Sequence, residues 1–179
     1  PAIAGDPGTC RYGTLDGNGD YVTVAGLSNT LNDSASLAFW IKTTQTGDDV
    51  GWRAPGITGV EVAGGSDDIF WGWLDSSGRI GLSVGNTYNT KSNLSINNGT
   101  WRHVALTRNA ASGDYKIYID GALDSSGAGP TGIIGTAYNR LGRIEDTGGT
   151  PVDFAGQLDE VYLYSGVLTD IEVSELRNR

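Results

Sequence analysis

The sequence has no methionine and one cysteine, Cys10, so no disulfide can close within the chain. It lacks any run of about 18 apolar residues, the length a membrane-spanning helix needs, which argues against direct membrane insertion. It opens on "PAIAGDPG", which has neither the charged nor the apolar region of a secretory leader. With the missing initiator methionine, this reads as a module excised from a longer protein, so neighbouring domains of that parent are expected partners. Basic residues are scarce: 12 Lys and Arg stand against 21 Asp and Glu, a formal net charge of −9. That balance argues against nucleic-acid phosphates or anionic lipid as partners without a bridging cation.

Catalytic chemistry is equally thin. The one histidine, His103, falls mid-strand and reads as a packed structural group. "GLSVG" (Gly81–Gly85) matches G-x-S-x-G around Ser83, but "NTYNTKSN" follows where a nucleophile elbow needs a helix, and no acid lies between Ser83 and His103. No E-x-D-x-x-E strand motif of the glucan-cleaving type occurs. Asp67-Asp68 and Glu145-Asp146 are adjacent pairs that a strand would point to opposite faces. The expectation is therefore a non-catalytic module, with an accessory or catalytic domain of a polysaccharide-active enzyme as the alternative.

What the chain does have is glycine, 28 residues of it, between short runs of alternating apolar and polar residues. Period-two alternation predicts strands at Tyr21–Val24, Leu37–Lys42, Ile69–Leu74, Arg79–Val84, Trp101–Arg108, Tyr115–Ile119, Arg140–Ile144 and Gln157–Tyr164. In "SLAFWIKT", Leu37, Phe39 and Ile41 share one face and Ala38, Trp40 and Lys42 the other; in "WRHVALTRN", Val104 and Leu106 fall opposite His103 and Ala105. Asp120-Gly121 is a favoured pair for a type I′ hairpin turn. One helix is expected, near the C-terminus: Thr169 and Glu172 have capping-box spacing, with Ile171, Val173 and Leu176 on a buried side. The pattern predicts a single all-β domain over residues 1–179, an antiparallel jelly-roll sandwich with one short C-terminal helix.

The segments "LDGNGDYVTV", "LAFWIKT", "WRHVALTRNAASGDYKIYIDGAL" and "FAGQLDEVYLYSGVLTDIEVSEL", in that order, resemble the laminin-G-like branch of the concanavalin A-like lectin/glucanase sandwiches. The resemblance runs from Tyr12 to Leu176. "GVEVAGGSDDIFWGWLDSSGRIGLSVGN" and "GRIEDTGGTP" further resemble modules of large bacterial surface adhesins and of the MshQ-type proteins of mannose-sensitive haemagglutinin pili. It implies an extracellular, cell-surface adhesion module that recognises a carbohydrate or an exposed peptide end on another cell.

Two cation sites are expected. "DGNGD" (Asp16–Asp20) begins like an EF-hand, but Tyr21 stands at its sixth position and Leu27 at its twelfth, so any further ligands must come from elsewhere. The resemblance implies a structural Ca2+ held by Asp159 of the last strand with oxygens around Asp16 and Asp20. The alternative is that these residues make only Asx-turns. A second, acidic rim gathers Glu61, Asp67, Asp68, Glu145 and Asp146 on loops at one end of the sandwich. There a Ca2+ could accept a sugar hydroxyl pair or a carboxylate, or the carboxylates are simply solvated. Trp52, Arg53, Asn86 and Tyr88 are candidate ligand contacts, and Trp71 and Trp73, expected on one strand face with Ile69, serve either as core or as sugar-stacking rings.

Overall fold

The computed structural model describes residues 11–85 and 88–178; Cys10 and Asn86 lie outside them. The chain runs β1 (Gly13–Asp16), β2 (Val22–Thr23), a short helix α1 (Leu27–Leu31), β3 (Ala35–Lys42) and a 3-10 turn at Gly51–Arg53. There follow β4 (Thr58–Glu61), β5 (Ile69–Leu74), β6 (Arg79–Val84), β7 (Tyr88–Ser95), β8 (Arg102–Arg108), β9 (Asp114–Ile119) and β10 (Ala122–Ala128). The last elements are β11 (Arg140–Leu141), β12 (Arg143–Asp146), β13 (Val152–Asp153), β14 (Ala155–Ser165) and helix α2 (Asp170–Arg177). Neither helix is long and apolar enough to cross a membrane.

Alternation becomes two stacked sheets. One has the strand order β1-β14-β3-β8-β9-β10; the other runs β13-β12-β4-β5-β6-β7, with β11 and β2 joined to its side. Pairing is antiparallel except between β4 and β12. In β3, Leu37, Phe39 and Ile41 enter the inter-sheet core with Val104 and Leu106 of β8, while Ala38 faces outward. There Ala38, Ala105 and Tyr118 are covered by Val173 and Leu176 of α2. Each such buried aliphatic side chain contributes roughly 1.5–3 kcal/mol. The α2 capping box forms as expected: Thr169 Oγ1 accepts from Glu172 N–H, and Glu172 Oε2 accepts from Thr169 N–H at 2.7 Å. Ile171 does not join the buried side; it is 72% exposed. Asp170 instead ties the helix to the sheet by accepting from Tyr118 Oη at 2.7 Å.

The second sheet holds the larger departures. Trp71 and Trp73 do not share a face, because the β5–β6 register shifts between them at Gly72, whose φ is 73°. A left-handed residue in mid-strand makes a bulge that glycine alone adopts at little cost. Trp71 enters the inter-sheet core; Trp73 turns outward into a separate cluster with Ala54, Phe70 and Ile144. Gly81 makes room for it, since a Cβ there would stand 2.4 Å from the indole Nε1. The expected Tyr21–Val24 strand shrinks to two residues, and Arg140–Ile144 splits around Gly142, which has a φ of 100°. "NTYNTKSN", read as loop, contributes most of β7, where Thr90 and Ser92 are buried on one side while Lys91 and Asn93 are more exposed on the other.

Candidate ligand-binding rim

The opening turn and the last strand do meet, but with a different carboxylate. Along the β1–β14 pairing, Asp16 stands opposite Ala155 and Gly13 opposite Leu158. Asp159 therefore sits four residues beyond the partner of Asp16, about 13 Å along the strand. It lies beside Trp40 of β3, where its own Oδ1 accepts from Glu160 N–H. The carboxylate that reaches the turn is that of Asp153, whose Oδ2 accepts from Gly19 N–H at 2.8 Å while its Oδ1 pairs with Arg143. Within the turn, Asp16 Oδ1 accepts from Asn18 N–H at 2.7 Å and Asp20 Oδ2 accepts from Asp16 N–H at 3.1 Å. This is the Asx-turn arrangement: the aspartates cap backbone donors. Asp159 is thus corrected as a partner of Asp16 and Asp20.

The acidic rim does assemble. Asp146 at the end of β12 lies beside Glu61 at the end of β4, in the parallel register Glu145–Val60, Asp146–Glu61. Val60 points into the core, so Glu61 and Asp146 share the outer face, where Ile144 also lies. Asp68 enters the same corner from the residue before β5, held by a 2.6 Å hydrogen bond from Val62 N–H to its Oδ1. Asp68 is 0% exposed, and its Oδ2 has no hydrogen-bond partner among the described residues. Burial raises its pKa, and the charges of Asp67 and Asp146 raise it further, against the lowering effect of the Val62 N–H. Glu61 is raised by burial, by a carboxyl–carboxyl hydrogen bond with Asp146, and by the charges of Asp146 and Asp68. Asp67 is exposed. Glu145 leaves the group: its Oε1 accepts from Asn139 and Arg140 N–H on the other side of the strand.

A cluster of this kind tends toward positive charge, supplied by a proton or by a cation. Among the described residues, no group of three or more His, Cys, Asp or Glu is positioned to hold a metal ion. The donor chemistry nonetheless fits a hard cation such as Ca2+. A buried carboxylate oxygen is left over, and two carboxyls stand close enough to share one proton. Asp146 is also braced, its Oδ1 accepting from Gly148 N–H at 2.8 Å and Gly149 N–H at 2.6 Å.

The remaining candidates scatter. Trp71 is fully buried and is corrected as a ligand contact; so is Trp73, whose indole donates to Ser83 Oγ at 3.0 Å. Ser83 accordingly lies buried within β6. His103 is on the other sheet, 3% exposed, edge-on to Trp40, with burial lowering its pKa to about 4. Exposed Trp52 and Arg53 stack on each other, and Arg53 pairs with Asp48 at 3.3 Å. Tyr88 opens β7 opposite Val84. One buried acid that the sequence reading passed over, Asp75, closes the far end of β5. Two cations pair with it, Arg79 at 2.7 Å and Lys91 of β7 at 3.1 Å, and Arg79 at i+4 was the available signal.

A sandwich of this topology, with its helix on the outer face of one sheet, matches one family model across residues 16–174. The chain belongs to the concanavalin A-like lectin/glucanases superfamily. Rat "sushi, von Willebrand factor type A, EGF and pentraxin domain-containing protein 1" is 30% identical over 163 residues, and its mouse counterpart is 29% identical. These cover 87% of this chain but only 4% of the relatives' own length. Among solved structures, the CBM40 of Ruminococcus gnavus IT-sialidase bound to alpha2,3 sialyllactose superposes with a TM-score of 0.66 at 18% identity, covering 93% of this chain and 96% of that one. The SAP-like pentraxin of Limulus polyphemus gives 0.57 at 18% identity, covering 80% and 69%. These likenesses establish a lectin-like sandwich fold.

Proposed function

We propose that this laminin-G-like sandwich is a non-catalytic recognition module of a larger cell-surface protein, binding carbohydrate through a Ca2+-dependent rim and serving adhesion. The observation that carries the reading is the wholly buried Asp68, with one carboxylate oxygen left without a donor among the described residues, beside the Glu61–Asp146 pair. Glu61, Asp68 and Asp146 are not positioned as a ready metal site, so they would have to close around the ion as it binds, with exposed Asp67 beside them. Backbone carbonyls and a ligand's hydroxyl pair or carboxylate complete the six to eight oxygens that Ca2+ takes. Cation binding there replaces the shared proton and removes the mutual repulsion of the carboxylates. A carbohydrate ligand is supported by the lectin-like fold, and the CBM40 likeness points the same way. A surface setting is supported by the resemblance to adhesin modules, and a larger parent protein by relatives of which this domain spans 4%.

The accessory-domain alternative draws on the leech intramolecular trans-sialidase, of whose chain the match covers 27%. Such a domain would bind glycan beside a separate catalytic unit, so it too asks for recognition rather than chemistry here. Calcium titration by calorimetry, followed by glycan-array screening in Ca2+ and in chelator, tests the proposal. We expect one ion at the rim, proton release on binding, and glycan signal that disappears in chelator and in Asp68→Asn. No heat at millimolar Ca2+ removes the cation; glycan signal in neither condition removes the ligand class.

A further inference from the structure

We propose a second, cation-independent subsite for a carboxylate-bearing saccharide on the outer face of the β1-β14-β3 edge, centred on Lys42. It shares no residue with the rim, and its test does not require calcium. Thr14, Gln157 and Lys42 occupy one rung across three adjacent strands, Thr14 opposite Gln157 and Gln157 opposite Lys42. The next rung, Leu158 and Ile41, is buried in the core, so these three polar side chains face outward together. Adjacent strands lie about 4.8 Å apart, so the row presents hydroxyl, amide and ammonium across about 10 Å. A cavity of about 410 Å³ opens over them, bounded also by Thr44, Gly99 and Gly156. That volume falls within the range of small-ligand pockets.

Its floor is fixed. Thr43 Oγ1 donates to Ala155 carbonyl at 2.6 Å, and the Gln45 amide accepts from Ala155 N–H at 2.8 Å while donating to Asp153 carbonyl at 3.1 Å. Those groups spend their hydrogen bonds on the backbone, whereas no side-chain hydrogen bond engages Thr14, Thr44 or Gln157 among the described residues. Lys42 is the distinguishing group. Every other described Lys or Arg has an ion pair, a hydrogen bond or an aromatic face. In a chain of net charge −9, acids are abundant, yet among the described residues none forms an ion pair with this ammonium; the acid on the same face is Asp159, two positions beyond Gln157 and opposite Trp40. A half-buried cation over a mostly apolar pocket, walled by Leu15, Ala155 and glycine CH surfaces with hydroxyl and amide groups among them, fits a sugar ring, with its CH face on the apolar wall, its carboxylate on Lys42 Nζ and its hydroxyls on Gln157 and Thr14.

The experiment uses trigalacturonate and trimannuronate, each with its methyl ester, titrated in chelator and followed by amide and Lys Nζ NMR shifts. We expect at least one acid form to bind with shifts confined to residues 14, 42–45, 99 and 155–157. Lys42→Ala should weaken that binding at least tenfold, as loss of a charge-assisted hydrogen bond does, with partial recovery in Lys42→Arg. The ester should bind no better than Lys42→Ala binds the acid. The proposal is overturned if neither acid form binds in chelator, if ester and acid bind alike, or if Lys42→Ala leaves affinity unchanged while its thermal transition matches the parent.

Discussion

Two aspartates bracket strand β5, Asp68 before it and Asp75 after it, and both are 0% exposed. Their surroundings are opposite. Asp75 accepts from Ser77 N–H and Arg79 N–H at 2.9 Å each, from Arg79 Nε at 2.7 Å, and lies 3.1 Å from Lys91 Nζ. Burial opposes its ionisation, but these donors outweigh it and its pKa is lowered. Asp68 has one donor, acidic neighbours and a raised pKa. Equal burial therefore carries opposite meanings. Asp75 is a finished structural hub, and Asp68 is an unfinished donor set whose completion must come from outside the fold.

The comparison breaks most visibly at Asp75. Asp75→Ala leaves two cations and two N–H groups without their acceptor and should cost about 3–5 kcal/mol in urea unfolding. Asp68→Asn, measured in chelator, should be neutral or stabilising; equal losses at both positions would erase the distinction. His103 supplies the next effect. Its folded pKa of about 4 lies below the ordinary 6.5, so its contribution is fully present above pH 6.5 and is lost as pH falls toward 4. That loss amounts to about 3 kcal/mol, and His103→Gln should flatten it in a series of melting temperatures. Asp75, with its lowered pKa, adds a further loss only below the ordinary carboxylate range.

Glu61 and Asp68 act in the other direction. Their pKa values are raised, so the fold loses stability as pH climbs from the ordinary carboxylate range through their folded values. Calcium at a hundredfold excess over Kd should return about 2.7 kcal/mol, and Asp68→Asn should abolish that gain. Differential scanning calorimetry at pH 5 and pH 7, with and without the ion, reads both effects. The smallest change is expected at exposed Arg53: removing its pairing with Asp48 by Arg53→Ala should move stability by no more than about 0.5 kcal/mol.

Much of this was legible in the residues. "SLAFWIKT" and "WRHVALTRN" assigned their faces correctly because a half-buried strand records burial at every second position. Asp120-Gly121 forms the expected tight turn, with φ of 52° and 84°. The acidic rim could be anticipated as carboxylates on loops at one end of the sandwich, and Glu61, Asp68 and Asp146 do meet there. Glu145 could be separated from Asp146 by strand alternation alone. The failures share one cause. Asp159 was matched to the opening turn by the family resemblance, but the β1–β14 offset puts Ala155 and Asp153 there instead. Trp73 was assigned to the face of Trp71 because nothing in "FWGWL" distinguishes an ordinary strand glycine from one at φ 73°.

By itself, then, the sequence determined the sandwich, the burial of its alternating faces, the capped final helix and the excess of acid over base. Those properties are written locally, in spacing and in side-chain chemistry. The tertiary structure alone decided which carboxylates are satisfied and which are left wanting, and that Lys42 faces a cavity without an ion pair among the described residues. Strand register and bulges fix those outcomes, and each depends on packing between segments as far apart as residues 16 and 155.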